Sequence, residues 1–299
     1  TVVELDLRSG YSLTPSTLIP QMNAGQHKTY ISEVLFSSGM NEELIVGEYP
    51  NLFLTPNDDR YIDYQHNTNW QELIFQNALF TNLNVKVKGG DEIARYGLSF
   101  NYMNSDGIIK TTGYDGYNLR FVSLLNIFTW LKMNASVALS YNNSMLKESA
   151  RVKETSPILT SLAKSPMLNP YQYDSEGKEL TTLSSVDELG ISNPQAVIDN
   201  YEAKNNNFNF ISTLGFEAQL KNNLSLHSNF GITYNVLKEQ LFMPNQGMEL
   251  YYNSEAINVS KVTSNSLSSF YNNTYLKYKK NFGKDHELTS NTGVNIYTN

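Results

Sequence analysis

Alternation of apolar and polar side chains with a period of two is the feature that most constrains this chain. Residues 131–142 show it most clearly: the odd positions, including Leu131, Val137 and Tyr141, are apolar, and the even positions, including Ser136, are mostly polar. A period of two places successive side chains on opposite faces of an extended strand. The pattern therefore predicts a strand that separates an apolar environment from a polar one.

The same alternation recurs along the chain and predicts about nine strands. They lie within 1–8, 82–88, 96–102, 117–121, 131–142, 207–220, 224–235, 265–278 and 288–296. The range 265–278 is the most ambiguous of these, because Tyr and Asn occur there in both registers. The strands account for most of the chain outside its longer connections, so the predicted fold class is all-β.

The connections between these strands alternate between short and long. Short ones contain GGDEIA, FTW, KNN and FGKDH, and long ones include residues 143–205 and the predicted loop 240–264. Short turns at one end and long loops at the other are typical of an outer-membrane barrel, whose strands need about 9–11 residues to cross the bilayer. We therefore expect an antiparallel up-and-down transmembrane β-barrel, of which this chain forms a part.

The long connections also carry signals for short helices. Apolar residues spaced i, i+3 and i+4 predict helices within 24–36 and 69–78. Ser156 and Asn193 each precede a proline, which predicts an N-cap followed by proline at the first helical position. We expect these loops to be folded.

Composition excludes several functions. The net charge of −7 disfavours nucleic acid as a partner, and the absence of Cys excludes disulfides and thiolate sites. The four histidines form no metal-binding pair, and His227 falls in the polar register of its strand. We find no catalytic motif, and we expect no cofactor, no metal and no enzymatic activity. No stretch predicts a signal peptide or a membrane-spanning helix.

Candidate ligand-binding residues fall into two groups. Asn118 and Arg120 lie in the polar register of a strand, and would face the barrel lumen and could line a substrate path. Tyr171 and Tyr173, with Tyr251 and Tyr252, lie in long loops, where aromatic rings either stack on a ligand or pack against other loops and a covering protein. The strand aromatics Tyr96, Tyr102, Tyr117, Trp130, Tyr141 and Tyr234 are instead expected in girdles at the membrane interfaces.

Several segments resemble the barrel of SusC/RagA-type TonB-dependent outer-membrane transporters. They are HNTNWQELIF (66–75), VKVKGGDEIARYGLSFNYMNSDGIIKTTGYDGYNLRF (85–121), WLKMNASVALSY (130–141), NPQAVIDN (193–200) and FEAQLKNNLSLHSNFGITY (216–234). The resemblance implies import of oligosaccharides or peptides across a bacterial outer membrane. It also implies outer-membrane lipid around the barrel, a SusD-like surface lipoprotein as a lid, and TonB as the energy source.

Several parts of that family's pattern have no counterpart within residues 1–299. They are the plug domain, the TonB box, the signal sequence and the later barrel strands. We therefore expect residues 1–299 to be the N-terminal part of the barrel, with the plug region that contacts TonB and the barrel C-terminus missing. The alternative is a surface or soluble β-sandwich that binds glycans or cells, because sandwich strands also alternate.

Overall fold

The computed structural model describes residues 1–149, 153–187, 189–248, 258–283 and 285–299. Its strands are β1 (Val2–Ser12), β2 (Ala78–Gly90), β3 (Ala94–Asp106), β4 (Gly113–Phe128), β5 (Leu131–Leu146), β6 (Tyr171–Tyr173), β7 (Glu179–Leu183), β8 (Glu202–Lys221), β9 (Leu224–Pro244), β10 (Asn258–Phe282) and β11 (His286–Thr298). Nine of them form one sheet in the order β1-β2-β3-β4-β5-β8-β9-β10-β11, and β6 pairs with β7 separately. Each strand of the large sheet pairs antiparallel with the next along this order, with β1 and β11 at the open edges. The prediction of nine strands in an up-and-down antiparallel wall is confirmed.

Cross-strand pairing places the apolar registers of neighbouring strands on one face of the sheet. Phe100 pairs with Leu119, Leu119 with Leu139 and Leu139 with Phe210. Residues directly opposite each other in an antiparallel pair project from the same face. Leu119 and Phe230 on this face remain 39% and 38% exposed, so no second layer covers them. The β-sandwich alternative is not supported, because the described residues contain no second sheet packed over the apolar face.

The apolar face ends at a row of tyrosines. Tyr102 pairs with Tyr117 and Tyr117 with Tyr141, and the first two rings lie 5.0 Å apart between centroids. One row closer to the long connections, the same face becomes polar. Residues in that row are Asn104, Asp115, Asn143 and Asn206, paired in this order across β3, β4, β5 and β8. Such a change from apolar to aromatic to polar is typical of a membrane interface.

The connections at the two ends of the sheet differ in length. Residues 91–93, 129–130, 222–223 and 283–285 form the short turns, and residues 13–77, 107–112, 147–201 and 245–257 form the longer connections at the opposite end. The alternation predicted from the sequence is therefore confirmed. Hydrogen bonds join the longer connections to one another: Trp70 Nε1 donates to Ser165 O at 3.0 Å and Thr111 Oγ1 to Ile198 O at 3.0 Å. We call the described residues of these longer connections the loop layer.

The loop layer holds most of the fully buried apolar side chains and all of the described helices. The helices are α1 (Ala24–Ser37), α2 (Glu42–Glu48), α3 (Tyr61–Tyr64), α4 (Trp70–Ile74), α5 (Pro157–Ala163) and α6 (Pro194–Asn200). Ser156 and Asn193 cap α5 and α6 as predicted, with side-chain oxygens that accept from Leu159 N and Gln195 N. Trp70 and Val197 are fully buried. The core of this structure thus lies beside the sheet's end and not on its apolar face.

None of the helices in the described part of the chain combines the length and the apolar composition of a membrane span.

The short helix predicted within 69–78 is present as α4, and it ends at Ile74 because Phe75 is extended (φ −96°, ψ 152°) and bridges to Ile109. The predicted bounds of one loop are wrong. The loop predicted at 240–264 is shorter, because β9 and β10 remain paired there, with Gln240 opposite Val262. Beyond the apolar band both strand faces meet polar surroundings, so the alternation disappears while the backbone ladder continues.

Candidate functional site

The predicted loop aromatics Tyr171 and Tyr173 lie on β6, in a small hairpin of the loop layer. A turn at residues 174–178 reverses the chain: Asp174 Oδ1 accepts from Glu176 N and Lys178 N, each at 2.9 Å, and Gly177 has φ +80°. Side-chain oxygens of Asp commonly fold such turns, and glycine adopts the positive φ without strain. The hairpin is therefore built locally and presents both tyrosines to their neighbours.

Tyr173 is held in place by stacking and by a hydrogen-bond network. Its ring stacks on His66, with centroids 5.1 Å apart and planes inclined by 17°. Its hydroxyl accepts from Asn169 Nδ2 at 3.0 Å and donates to Glu179 Oε2 at 3.2 Å. Burial, and then the Glu179 carboxylate, raise the pKa of the Tyr173 hydroxyl, so the phenol stays protonated and can donate.

A hollow of about 210 Å³ adjoins these tyrosines. Its lining includes Arg60, which directly precedes α3, and Asp63 of α3. Asn169, Tyr171 and Tyr173 line it from the side of β6. Arg60 Nη2 donates to the Tyr64 hydroxyl at 3.0 Å, which fixes the guanidinium over that ring. The hollow therefore combines aromatic rings, a cation, an anion and amide groups within one concave surface. These are groups that stack on and hydrogen-bond to a polar organic ligand.

Tyr171 also has a packing role. It contacts the buried apolar cluster that includes Leu183, Val197 and Met243, and it pairs with Leu183 across the hairpin. Substitution of Tyr171 would thus disturb the core of the loop layer as well as the hollow. Tyr173 is the more informative residue of the two for testing ligand contact.

Asn118 and Arg120 lie on the polar face of β4, as expected from their register. Asn118 Nδ2 donates to Asn101 Oδ1 at 3.2 Å, and Asn101 Nδ2 donates in turn to Asn82 Oδ1 at 2.7 Å. Arg120 is exposed and lies opposite Ser99 and Ala138. This face is therefore a hydrogen-bonded amide surface with a free cationic side chain in reach of solvent.

The structure does not bring the two predicted groups together. The hollow lined by Tyr171 and Tyr173 has neither Asn118 nor Arg120 among its lining residues. The sequence analysis missed Arg60 and Asp63, because no spacing in the chain relates residues 60–64 to residues 169–173. The aromatic and charged character of residues 60–64 is the one signal that could have drawn attention to them.

Other predicted residues have clear positions. His227 lies on the polar face of β9, where its ring stacks on Tyr275 with centroids 4.8 Å apart. Among the residues that the structure describes, no group of acidic and histidine side chains could hold a metal ion. Tyr251 and Tyr252 lie outside the described residues.

Comparison with known proteins points to one class of membrane protein. No family model matches the chain. A curated relative, TonB-dependent receptor P26 of Formosa agariphila, is 26% identical over 232 residues, which are 77% of this chain and 22% of the relative. The chain thus spans less than a quarter of that relative's length.

Solved structures of the RagAB peptide transporter show the same fold. One is 16% identical with a TM-score of 0.68, and the match covers 97% of this chain and 34% of the other. The RagAB peptide importer in its open-open state is also 16% identical, with a TM-score of 0.70 and coverage of 97% and 33%. The resemblance to SusC/RagA-type TonB-dependent transporters is confirmed, and the fold is an antiparallel, partial barrel wall of that kind.

Proposed function

We propose that residues 1–299 form the N-terminal part of the barrel of an outer-membrane importer, which takes up oligosaccharides or peptides with energy from TonB. In this proposal the open edges at β1 and β11 pair with further strands of the barrel wall. A plug region outside residues 1–299 supplies the contact with TonB. We assign no enzymatic activity to the chain.

The observation that carries the proposal is the uncovered apolar band of the sheet. On β5 it extends from Leu131 to the tyrosine row at Tyr141. With a rise of about 3.4 Å per residue and a strand tilt of about 40°, the ten residue intervals between Leu131 and Tyr141 span a height of roughly 26 Å. Outer-membrane barrels carry an apolar band about 25 Å tall between aromatic girdles. The match supports an outer-membrane location with lipid against this face.

The loop layer would then lie at the extracellular end, since long loops of such barrels face outward. A SusD-like surface lipoprotein above it, as the family resemblance implies, would enclose ligand between the two proteins. The hollow beside Tyr173 is our proposed ligand contact, with Asn118 and Arg120 further along the path on the polar wall. RagAB is named a peptide transporter. Arg60 and Asp63 offer a peptide partners of both charges, which makes peptides the first substrate class to test.

Uptake measurements test this function. Cells that produce the protein should accumulate labelled peptide or oligosaccharide, and loss of TonB should reduce uptake to the level of cells without the protein. Uptake that is independent of TonB would contradict the proposal.

The ligand contact is tested by Tyr173→Ala, with Tyr30→Ala as the matched control. Tyr30 is an exposed tyrosine of α1 that does not line the hollow. Loss of one stacking aromatic contact, worth about 0.5–1.5 kcal/mol, should weaken ligand binding about 2- to 13-fold. Equal binding by both variants would exclude the hollow as a ligand contact.

A further inference from the structure

A titratable side chain of helix α1 is buried against the rest of the loop layer. His27 is the one buried residue of this 14-residue helix, with 8% of its surface exposed. Several large apolar residues of the same helix, among them Tyr30, Val34 and Phe36, are exposed. Ile31 and Leu35, four and eight residues after His27, are only half-buried on the same side of the helix. The position of α1 therefore depends in part on the state of His27, its one buried side chain.

His27 lies between two hollows, and charged or titratable groups face it from every side. Tyr49 at the end of α2, Tyr64 of α3 and Asp187 of the connection after β7 line the smaller hollow with it. Lys164, at the end of α5, lines the larger one, as does Tyr30 of its own helix. The hollows that His27 lines thus also include one cation, one carboxylate and three phenols in their lining.

Lys164 and Asp187 already balance each other in this interior. Lys164 Nζ lies 3.6 Å from Asp187 Oδ2, and the two side chains are 0% and 2% exposed. Lys164 Nζ also donates to Ile191 O at 2.7 Å, and Asp187 Oδ1 accepts from Ile191 N at 2.8 Å. A proton on His27 would therefore add a positive charge to a buried cluster that is already neutral, and Asp187 would compensate it only in part, which is unfavourable in a medium of low dielectric constant.

The protonation equilibrium of His27 agrees with this geometry. Burial lowers the pKa of His27, and Asp187 opposes the change only in part. The first turn of α1, where His27 lies, also disfavours a positive charge. Because the packed state binds the proton less well than a released helix does, the packing is complete above the ordinary histidine pKa of about 6.5. It weakens as the pH falls below that value.

We propose that His27 is an acid-sensitive latch, whose protonation releases α1 from the rest of the loop layer. The latch is a property of the helix and its buried contacts. It goes beyond the proposed import function and does not depend on the ligand that is carried.

Distances between spin labels test the latch in the full chain, which contains no Cys of its own. Labels at Glu33→Cys on α1 and Glu72→Cys on α4 occupy exposed positions. We expect one narrow distance distribution at pH 8 and a second, longer population that grows as the pH falls from 6.5 to 4.5. An unchanged distribution across this range would overturn the proposal.

Two variants and the midpoint of the wild-type pH titration show whether His27 causes the release of α1. His27→Gln should remove the acid response, and His286→Gln, which changes an exposed histidine at the start of β11, should retain it. An acid response that persists in His27→Gln would refute the latch. If His27→Gln releases α1 already at pH 8, the wild-type titration decides: a midpoint below 6.5 and above 4.5 supports the latch, and one above 6.5 refutes it.

Discussion

Replacement of Val137 by arginine would place a charge in the middle of the proposed lipid-facing band. Val137 lies four residues before Tyr141 on β5, opposite Phe121 of β4 and Ser212 of β8. At about 3.4 Å per residue and about 40° of tilt, it lies roughly 10 Å below the tyrosine row, near the midplane of a band about 25 Å tall. Arginine at this depth on a lipid-facing strand costs about 2–4 kcal/mol.

The neighbouring Ser136 provides the matched control. Its side chain projects from the opposite, polar face, beside Val122 and Thr213. Arginine at this position would meet water in the lumen and should change stability by less than about 0.5 kcal/mol. The two substitutions introduce the same residue one position apart, so propensity and overall charge cancel in the comparison.

Assembly into the outer membrane measures the difference. Val137→Arg should reduce the amount of heat-modifiable, membrane-inserted protein at least tenfold, and Ser136→Arg should leave it within about twofold of wild type, since 1.4 kcal/mol corresponds to a factor of ten. Equal assembly of the two variants would refute the assignment of the faces. Better assembly of Val137→Arg than of Ser136→Arg would mean that the polar face contacts lipid and the apolar face lines the lumen.

Three further substitutions test the loop layer and the turns. Lys147→Met removes the Nζ that donates to three backbone carbonyls at the end of α6 and should cost about 2–3 kcal/mol, seen as faster hydrogen exchange in α6. Burial lowers the pKa of Lys147 to about 8, below its unfolded value, so the stability that depends on this group should rise between pH 8 and pH 10.5. Trp70→Ala empties a fully buried site and should lower the unfolding free energy of the loop layer by about 3–5 kcal/mol in a denaturant titration. Gly90→Ala would place a Cβ against Ala94 O at φ +134° and should lower the melting temperature more than Gly39→Ala, which has φ +94° and open space; equal shifts would contradict this.

The parts of the strands that form the apolar band were predictable from sequence. Lipid on one face and water on the other require apolar and polar side chains to alternate with a period of two. The pattern located β5 from Leu131 onward, and the structure places it at Leu131–Leu146. It failed where one solvent surrounds both faces. The outer parts of β9 and β10, around Gln240 and Val262, remain paired, but both of their faces meet polar surroundings, so their sequence does not alternate and predicts a loop.

β10 was ambiguous for a second reason. Its side chains on the sheet's apolar face include Asn272 and Thr274, whose polar atoms form hydrogen bonds with the neighbouring strand β9. Thr274 Oγ1 is hydrogen-bonded to Ser228 Oγ at 2.7 Å, and Asn272 Nδ2 donates to Asn229 O at 3.2 Å. Polar side chains that hydrogen-bond within the sheet are tolerated on such a face, and they weaken the alternation.

The candidate site was predictable only in part. The aromatic character and loop position of Tyr171 and Tyr173 were readable from sequence, but their partners were not. Arg60 and His66 precede β6 by about a hundred residues and reach it through contacts across the loop layer. Such pairing depends on how two long connections pack, and no local pattern in either connection encodes it.

The central claim is that the apolar face of the sheet contacts lipid and the polar face contacts water. Because the chain has no Cys, single cysteines can be introduced at each position from 131 to 141 and labelled with nitroxide in bilayers. The claim predicts that collisions with oxygen dominate at the odd positions and collisions with a water-soluble nickel complex at the even ones. Equal accessibility to both reagents along the strand, or the inverse alternation, would contradict it.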